Sequence, residues 1–186
     1  MCIRDSTDTL PGLHCRADNE EAVDRIVAMK GRSAGHSFGV LAGSAEQAGL
    51  VTGPVDDRVA AYCRKCWPGP FSLILPAGGN LCDKVAAENG TVAVRVPAGS
   101  SLRALLLEVG FPVVSTSANL TGKPPITKMA AAYRDFSKEI DGVWQPAEEK
   151  ENTNIEKVPF PSCLVNLSVW PPEVLRQGPL DPPPAD

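Results

Sequence analysis

No stretch of this 186-residue sequence approaches the roughly 20 consecutive apolar residues that a membrane span requires, so a soluble chain without a membrane partner is expected. An excess of positive charge is missing too. The net charge is −4 and the isoelectric point about 5.2, which argues against a nucleic-acid footprint over the whole surface and leaves room only for a focused anion site. Met1 to Ser6 has neither the apolar core of a signal peptide nor a basic amphipathic pattern, and reads as an arbitrary start. The six cysteines (Cys2, Cys15, Cys63, Cys66, Cys82, Cys163) lack the arrangement of a disulfide framework. In a chain long enough to fold without staples they point to a reducing compartment, and a cytoplasmic location is expected. Cys63-Arg-Lys-Cys66 has CxxC spacing but no second pair to complete a zinc site. Both cysteines fall on the apolar stripe Val55, Val59, Tyr62, Cys63, Cys66, so they read as buried small hydrophobes and no metal ligand is assigned. There is no internal repeat.

What is present alternates between strand and helix patterns, predicting one α/β domain. Thr7 to Leu13 reads as a polar turn. Asp18 and Glu21 form a capping-box pair ahead of Ala22, Val23, Ile26 and Val27, and the helix should stop at Gly31. Lys30 and Arg32 then either complement a helix C-terminus or project as a phosphate clamp. Ser37–Leu41 reads as a short strand, Ser44–Leu50 as a short helix with a Ser/Gln cap pair, and Val55–Trp67 as an amphipathic helix ended by Pro68-Gly69-Pro70. Phe71–Leu75 is apolar enough for a strand covered on both faces. In Thr91–Val96 the alternation puts Val92, Val94 and Val96 on one face and Thr91, Ala93 and Arg95 on the other. A mid-strand arginine needs an anionic partner, which could be a structural carboxylate or a bound carboxylate or phosphate.

Ser100 and Ser101 cap a helix closed by Gly110, which delivers the chain to Phe111–Thr127. There an apolar lead-in, Val113 and Val114, turns into Ser115, Thr116 and Ser117 with Asn119 two places on. A short buried strand is expected to end in these hydrogen-bonding side chains, the place where open α/β sheets bind ligands. Thr127 can cap a helix to Phe136, Gln145–Glu156 reads as a mobile loop, and Ser162 leads a strand Cys163–Leu167 followed by a last strand Val174–Arg176. The proline-rich tail is expected to be disordered.

Thr-Asp-Thr-Leu-x-Gly-Leu, Lys30-Gly31-Arg32, Trp-Pro-Gly-Pro, Val-Ala-Val-Arg-Val-Pro, Ser-Thr-Ser-Ala-Asn-Leu-Thr-Gly-Lys-Pro and Leu175-Arg176-x-Gly178 occur in that order. Together they resemble the YrdC-like threonylcarbamoyl-AMP synthases from Thr7 to Gly178, which implies a single α/β domain with a twisted mixed parallel/antiparallel sheet, flanking helices and a concave cleft. The resemblance implies a nucleotidyltransferase that joins L-threonine, bicarbonate and ATP into threonylcarbamoyl-AMP and pyrophosphate, with Mg²⁺ on the phosphates. The product would pass to partner proteins that make N6-threonylcarbamoyladenosine at position 37 of tRNA, with RNA contact left open. Carried over by position, Thr9, Arg95, Ser117 and Ser162 look like the threonine pocket. Lys30, Arg32, His36, Thr91, Asn119, Thr127 and Arg176 look like the ATP side, with Lys30, Arg32, Ser117 and Asn119 closest to the chemistry. The alternative is a nucleotide- or double-stranded-RNA-binding relative without turnover.

Several positions depart from the family pattern. Pro11 stands for an aromatic, His36-Ser37 for Lys-Pro, Leu41 and Ala98 for polar residues, and Cys163 and Asn166 for Thr and Asp. Family members also carry a helix and strand before the Thr-Asp-Thr turn. The expected division is therefore 1–6 as an adventitious or truncated start, 7–178 as the YrdC-like domain and 179–186 as a disordered tail.

Overall fold

The computed structural model describes residues 3–6, 11–31, 37–124, 126, 129–144 and 161–185. Its elements, in chain order, are β1 (Ile3–Ser6), β2 (Pro11–Arg16), α1 (Glu20–Lys30), β3 (Gly39–Leu41), α2 (Ala45–Ala48), α3 (Asp57–Cys66) and β4 (Phe71–Pro76). These are followed by β5 (Thr91–Arg95), α4 (Ser100–Val109), β6 (Val113–Ser117), α5 (Met129–Phe136), β7 (Gly142–Val143), β8 (Cys163–Asn166) and β9 (Glu173–Arg176). Among the described residues the strands form one sheet in the order β7-β1-β2-β6-β3-β5-β4-β8-β9. It is mixed, as expected: β1 with β7, β3 with β5 and β4 with β8 run parallel, and the remaining pairs are antiparallel.

Alternation along the strands divides the sheet into two chemically different faces. Leu13, Cys15, Val40, Val92, Val94 and Val114 point to one side, where Val23 and Ile26 of α1 and Ala132 and Phe136 of α5 complete a core. Farther along the same side Phe71, Leu73, Leu75, Cys163 and Val165 pack with Val59, Tyr62, Cys63 and Cys66 of α3. The cysteine stripe is thus buried as its spacing predicted, and burial pushes Cys63 up to about 11 and Cys66 to about 12, away from thiolate chemistry. Val55 is not part of that stripe: α3 starts at Asp57, capped by Asp56 through Val59 N, and Val55 is exposed. On the opposite face, among the described residues, Leu102 and Leu106 of α4 pack on Leu41 and Val113 at one end. Leu41, which stands where some family members carry a polar residue, belongs to that small core.

Several expectations change. Pro11–Arg16 is a strand flanked on both sides, not a polar turn, and Ile3–Ser6, read as an arbitrary start, pairs with it as β1. The cap of α1 is Asn19, whose side chain accepts from Ala22 N at 3.0 Å, because Asp18 is held by Arg16 at 2.6 Å instead. The α1 stop is as expected, with Gly31 in the left-handed region at φ 58°. Gly99 rather than a serine caps α4. Exposure alternates along β4, so that strand is covered on one face. The helix ending at Phe136 begins at Met129, and its expected cap Thr127 lies outside the described residues, as does 145–156. The tail expected to be disordered is placed through 185, where Tyr62 Oη donates to the Pro183 carbonyl at 2.9 Å.

Candidate functional site

The hydroxyl run makes up the last three residues of β6, so the strand ends in hydrogen-bonding side chains as expected. Ser115, Thr116 and Ser117 pair with His14, Leu13 and Gly12 of β2, and Ser115 pairs on its other side with Gly39 of β3. Pairing with β2 along all three residues, and with β3 at Ser115, holds the backbone extended through residues whose own preference is for turns. Ser115 and Ser117 therefore sit on the open face rather than in a loop. Beyond Ser117 the chain turns: Asn119 N donates to the Ser117 carbonyl at 2.9 Å, and the Ser117 hydroxyl is hydrogen-bonded to Asn119 Oδ1. Asn119 Nδ2 donates to the carbonyls of Leu120 and Lys123, at 2.9 and 2.7 Å, which fixes its side chain against the turn.

Lys30 reaches this turn from the far end of α1. Its Nζ donates to the Ser117 carbonyl at 2.6 Å, and Thr121 N donates back to the Lys30 carbonyl at 3.0 Å. The residue is only 2% exposed. The ammonium thus ties the last turn of α1 to the strand end that carries Ser117 and Asn119.

A second group lies across the sheet. Arg95, 4% exposed, is on β5 with Ala93 on the face that the alternation predicted. Next to β5, Ser72 of β4 shares a 2.8 Å hydroxyl–hydroxyl bond with Ser162, just before β8. From β9, Arg176 donates through Nε to the Ser162 carbonyl at 3.0 Å and through a terminal nitrogen to its hydroxyl at 3.3 Å. The guanidinium of Arg176 is held below the usual arginine range by burial, with the like charge of Arg95 acting in the same direction. Arg176, placed on the ATP side by resemblance, therefore stands in one cluster with Ser162 and Arg95 of the threonine side. Thr91 Oγ1 donates to Asn89 Oδ1 at 2.7 Å, at the other end of β5 from Arg95. Thr9, Arg32, His36 and Thr127 lie outside the described residues. Cys163 points into the core, Asn166 Oδ1 accepts from Ser168, and Ala98 is exposed, so none of these departures is brought into the cluster.

Two residues of this face were missed from sequence: Ser72 and His14. Ser72 was hidden by an apolar run in which one small polar residue looked incidental. His14 was hidden because Pro11 and Gly12 read as turn, although Leu13 and Cys15 alternating with Gly12 and His14 is a strand signal. His14 is 3% exposed and its Nδ1 donates to the Val114 carbonyl at 3.2 Å. Burial, opposed by that bond and reinforced by the charge of Arg95, lowers its pKa from 6.5 to about 4. As pH falls below 6.5 the unfolded chain takes up the proton first, so the stability contributed by a neutral His14 is present above that value and lost toward pH 4. We expect the unfolding free energy to drop by about 3 kcal/mol more between pH 7 and 4 in this protein than in His14→Phe, by denaturant titration at each pH. Equal slopes would place the imidazole in water.

Among the described residues no helix is long and apolar enough to cross a membrane, and no group of three His, Cys, Asp or Glu side chains is arranged to hold a metal ion. Residues 3–178 match the family of Sua5, YciO and YrdC, described as telomere recombination. The chain is 30% identical over 172 residues to the threonylcarbamoyl-AMP synthase of Pyrococcus abyssi, covering 92% of this chain and 48% of that protein. It is 35% identical over 141 residues to the synthase of Idiomarina loihiensis, covering 74% of this chain and 75% of that protein. It spans about half the length of the P. abyssi relative. The crystal structure of P. abyssi Sua5 complexed with L-threonine superposes with a TM-score of 0.81 at 30% identity, over 95% of this chain and 50% of that one. E. coli YciO, 22% identical, shares the fold with a TM-score of 0.80 over 97% of this chain and 84% of its own. A match that runs from β1 past β9 takes in the whole sheet and both polar clusters of its open face, and the chain accordingly belongs to the Sua5, YciO and YrdC family.

Proposed function

We propose that this chain is an L-threonylcarbamoyladenylate synthase, using L-threonine, bicarbonate and ATP and releasing pyrophosphate. The observation that carries the reading is the pairing of two cations, Arg95 and Arg176, with two bonded hydroxyls, Ser72 and Ser162, on an open face that also holds the Lys30–Ser117–Asn119 turn. Two guanidinium groups close together on one face favour an anion between them, and the planar fork of Arg95 suits the carboxylate of an amino acid. The likeness to a relative complexed with L-threonine supports the same choice.

In this scheme Arg95 holds the threonine carboxylate, while Ser117 and Ser162, with Thr9, receive its polar groups. Lys30 and Asn119, with Arg32, His36, Thr91 and Thr127, face the nucleotide. Arg176 stands where the two substrates meet. The threonine amine joins bicarbonate with loss of water, a C–N bond forming as a C–O bond breaks, and an oxygen of the resulting carbamate attacks the α-phosphorus in line. The P–O bond to pyrophosphate breaks as the new one forms, so no covalent enzyme intermediate is required. The chain's part is to position the reactants and offset charge on the departing pyrophosphate. Magnesium fits as a passenger on the phosphates, since the described donor groups make no cage of their own, and it would screen phosphate charge there. The product would serve N6-threonylcarbamoylation of adenosine 37 in tRNA through separate partner proteins in the cytoplasm.

The test is pyrophosphate release from ATP by the purified chain. Release is expected only when L-threonine and bicarbonate are both present. Release that is equally fast without threonine would overturn the reading, and RNA binding without any release would favour the binding-module alternative.

A further inference from the structure

The imidazole of His14 has an unused nitrogen. Because Nδ1 carries its proton to the Val114 carbonyl, the neutral ring presents Nε2 as a bare lone pair, and Nε2 is buried with no hydrogen-bond partner among the described contacts. A buried acceptor left unmatched costs free energy, and native structures keep few of them without a reason. Filling the need by protonation is disfavoured here by burial and by the Arg95 charge.

The position of the ring says where a partner would come from. His14 is paired with Ser115, Ser115 with Gly39, and Gly39 with Ala93, so along this row the floor between β2 and β5 carries nothing larger than a hydroxymethyl group. Three strand spacings make that floor about 14 Å wide. His14 stands at one margin and Arg95, two residues beyond Ala93 on the same face, at the other. The ring leans along β2 over Gly12: a Cβ on Gly12 would lie 2.6 Å from Nε2 and 2.9 Å from Cε1. Gly12 is itself paired with Ser117. The lone pair therefore lies beside the end of β6 where Lys30, Ser117 and Asn119 converge, and the absence of a side chain at residue 12 is what makes room for it.

We propose that His14 contacts the amino-acid substrate, its Nε2 accepting a hydrogen bond from an N–H or O–H donor of an amino acid whose carboxylate lies toward Arg95. The proposal rests on the threonine reading given above. An α-amino acid with a β-hydroxyl offers two such donors, the ammonium and the hydroxyl, at the end opposite its carboxylate. An amino acid is far shorter than this floor, so it is met where the Arg95 and His14 side chains reach in from the two margins, a guanidinium at its carboxylate end and an acceptor at the other, an arrangement that discriminates by chemistry as well as by length. The orphaned nitrogen makes the preference strong, since a ligand lacking a donor there leaves it unmatched.

The experiment uses the full chain labelled with ¹⁵N in histidine, with the His14 signals identified by their loss in His14→Phe. Saturating L-threonine should shift the unprotonated Nε2 resonance and leave the Nδ1 proton in place, while ATP with magnesium alone should not. In calorimetric titrations His14→Phe, which keeps a planar ring but has no acceptor, should bind L-threonine about tenfold more weakly with ATP affinity unchanged. His14→Gln, which can present a carbonyl oxygen, should recover part of the loss. L-2-aminobutyrate, which lacks only the hydroxyl, identifies the donor: a tenfold loss confined to threonine assigns the hydroxyl, and an equal loss for both assigns the ammonium. An Nε2 signal unmoved by threonine that demonstrably binds would overturn the proposal even if the variants fold poorly. Failure of the unaltered protein to bind threonine at all would instead remove the functional reading, and this contact with it.

Discussion

Arg95→Ala should weaken L-threonine binding by about 30- to 150-fold, the loss of a charge-assisted pair worth about 2 to 3 kcal/mol. The size follows from placement. Arg95 is 4% exposed, on a central strand between β3 and β4, so water cannot easily take over its role. ATP affinity should change far less, because the Lys30–Ser117–Asn119 turn is built without Arg95. Arg176→Ala should differ in kind: it releases the Ser162 carbonyl and hydroxyl as well as a cation, so both ligands should suffer. Titration calorimetry with each ligand separately decides this. If Arg95→Ala costs threonine and ATP equally, the division of the face into a carboxylate end and a phosphate end is wrong.

Lys30→Met should lower stability as well as activity, a combination not expected of an ordinary phosphate ligand. Methionine keeps the length of the buried stem but leaves the Ser117 carbonyl without the 2.6 Å ammonium donor that now ties α1 to β6. A hydrogen bond to a charged group contributes about 1.5 to 3 kcal/mol. For a chain of this size that corresponds to a melting temperature lower by about 3 to 12 °C. The turn through Asn119 should loosen with it, and pyrophosphate release should fall by more than the affinity for either substrate alone. Thermal melts and steady-state rates on the same preparation test the coupling. An unchanged melting temperature with reduced ATP affinity would make Lys30 a phosphate contact and nothing more.

Much of this site was legible before any coordinates. Arg95 on the open face followed from strict alternation in Thr91–Val96, where a valine at every second position leaves no other face for the arginine. The strand end at Ser117 followed from a hydroxyl run after paired valines, and the end of α1 from a glycine that can enter the left-handed region. Burial of Cys63 and Cys66 followed from helical spacing. All of these are local: a period, a cap or a backbone preference confined to a few neighbouring residues.

What the sequence could not decide was which short segments become strands and what they bring together. Ile3–Ser6 and Pro11–Arg16 have weak patterns of their own and are strands because each finds a partner edge, β1 on β2 and β2 on β6. Asp18 lost the cap of α1 to Asn19 because Arg16, held in β2, claimed its carboxylate. The meeting of Lys30 with Ser117, 87 residues apart, and of Ser72 with Ser162, 90 apart, is set by strand order, which no local preference encodes. His14 shows the division most plainly. Sequence determined that an imidazole stands two residues beyond a glycine. Only the sheet decided that the glycine is empty space, that Val114 takes one ring proton, and that the other nitrogen is left facing a polar floor. Ladder pairing between segments a hundred residues apart supplies that information, and its energy exists only once the strands have met.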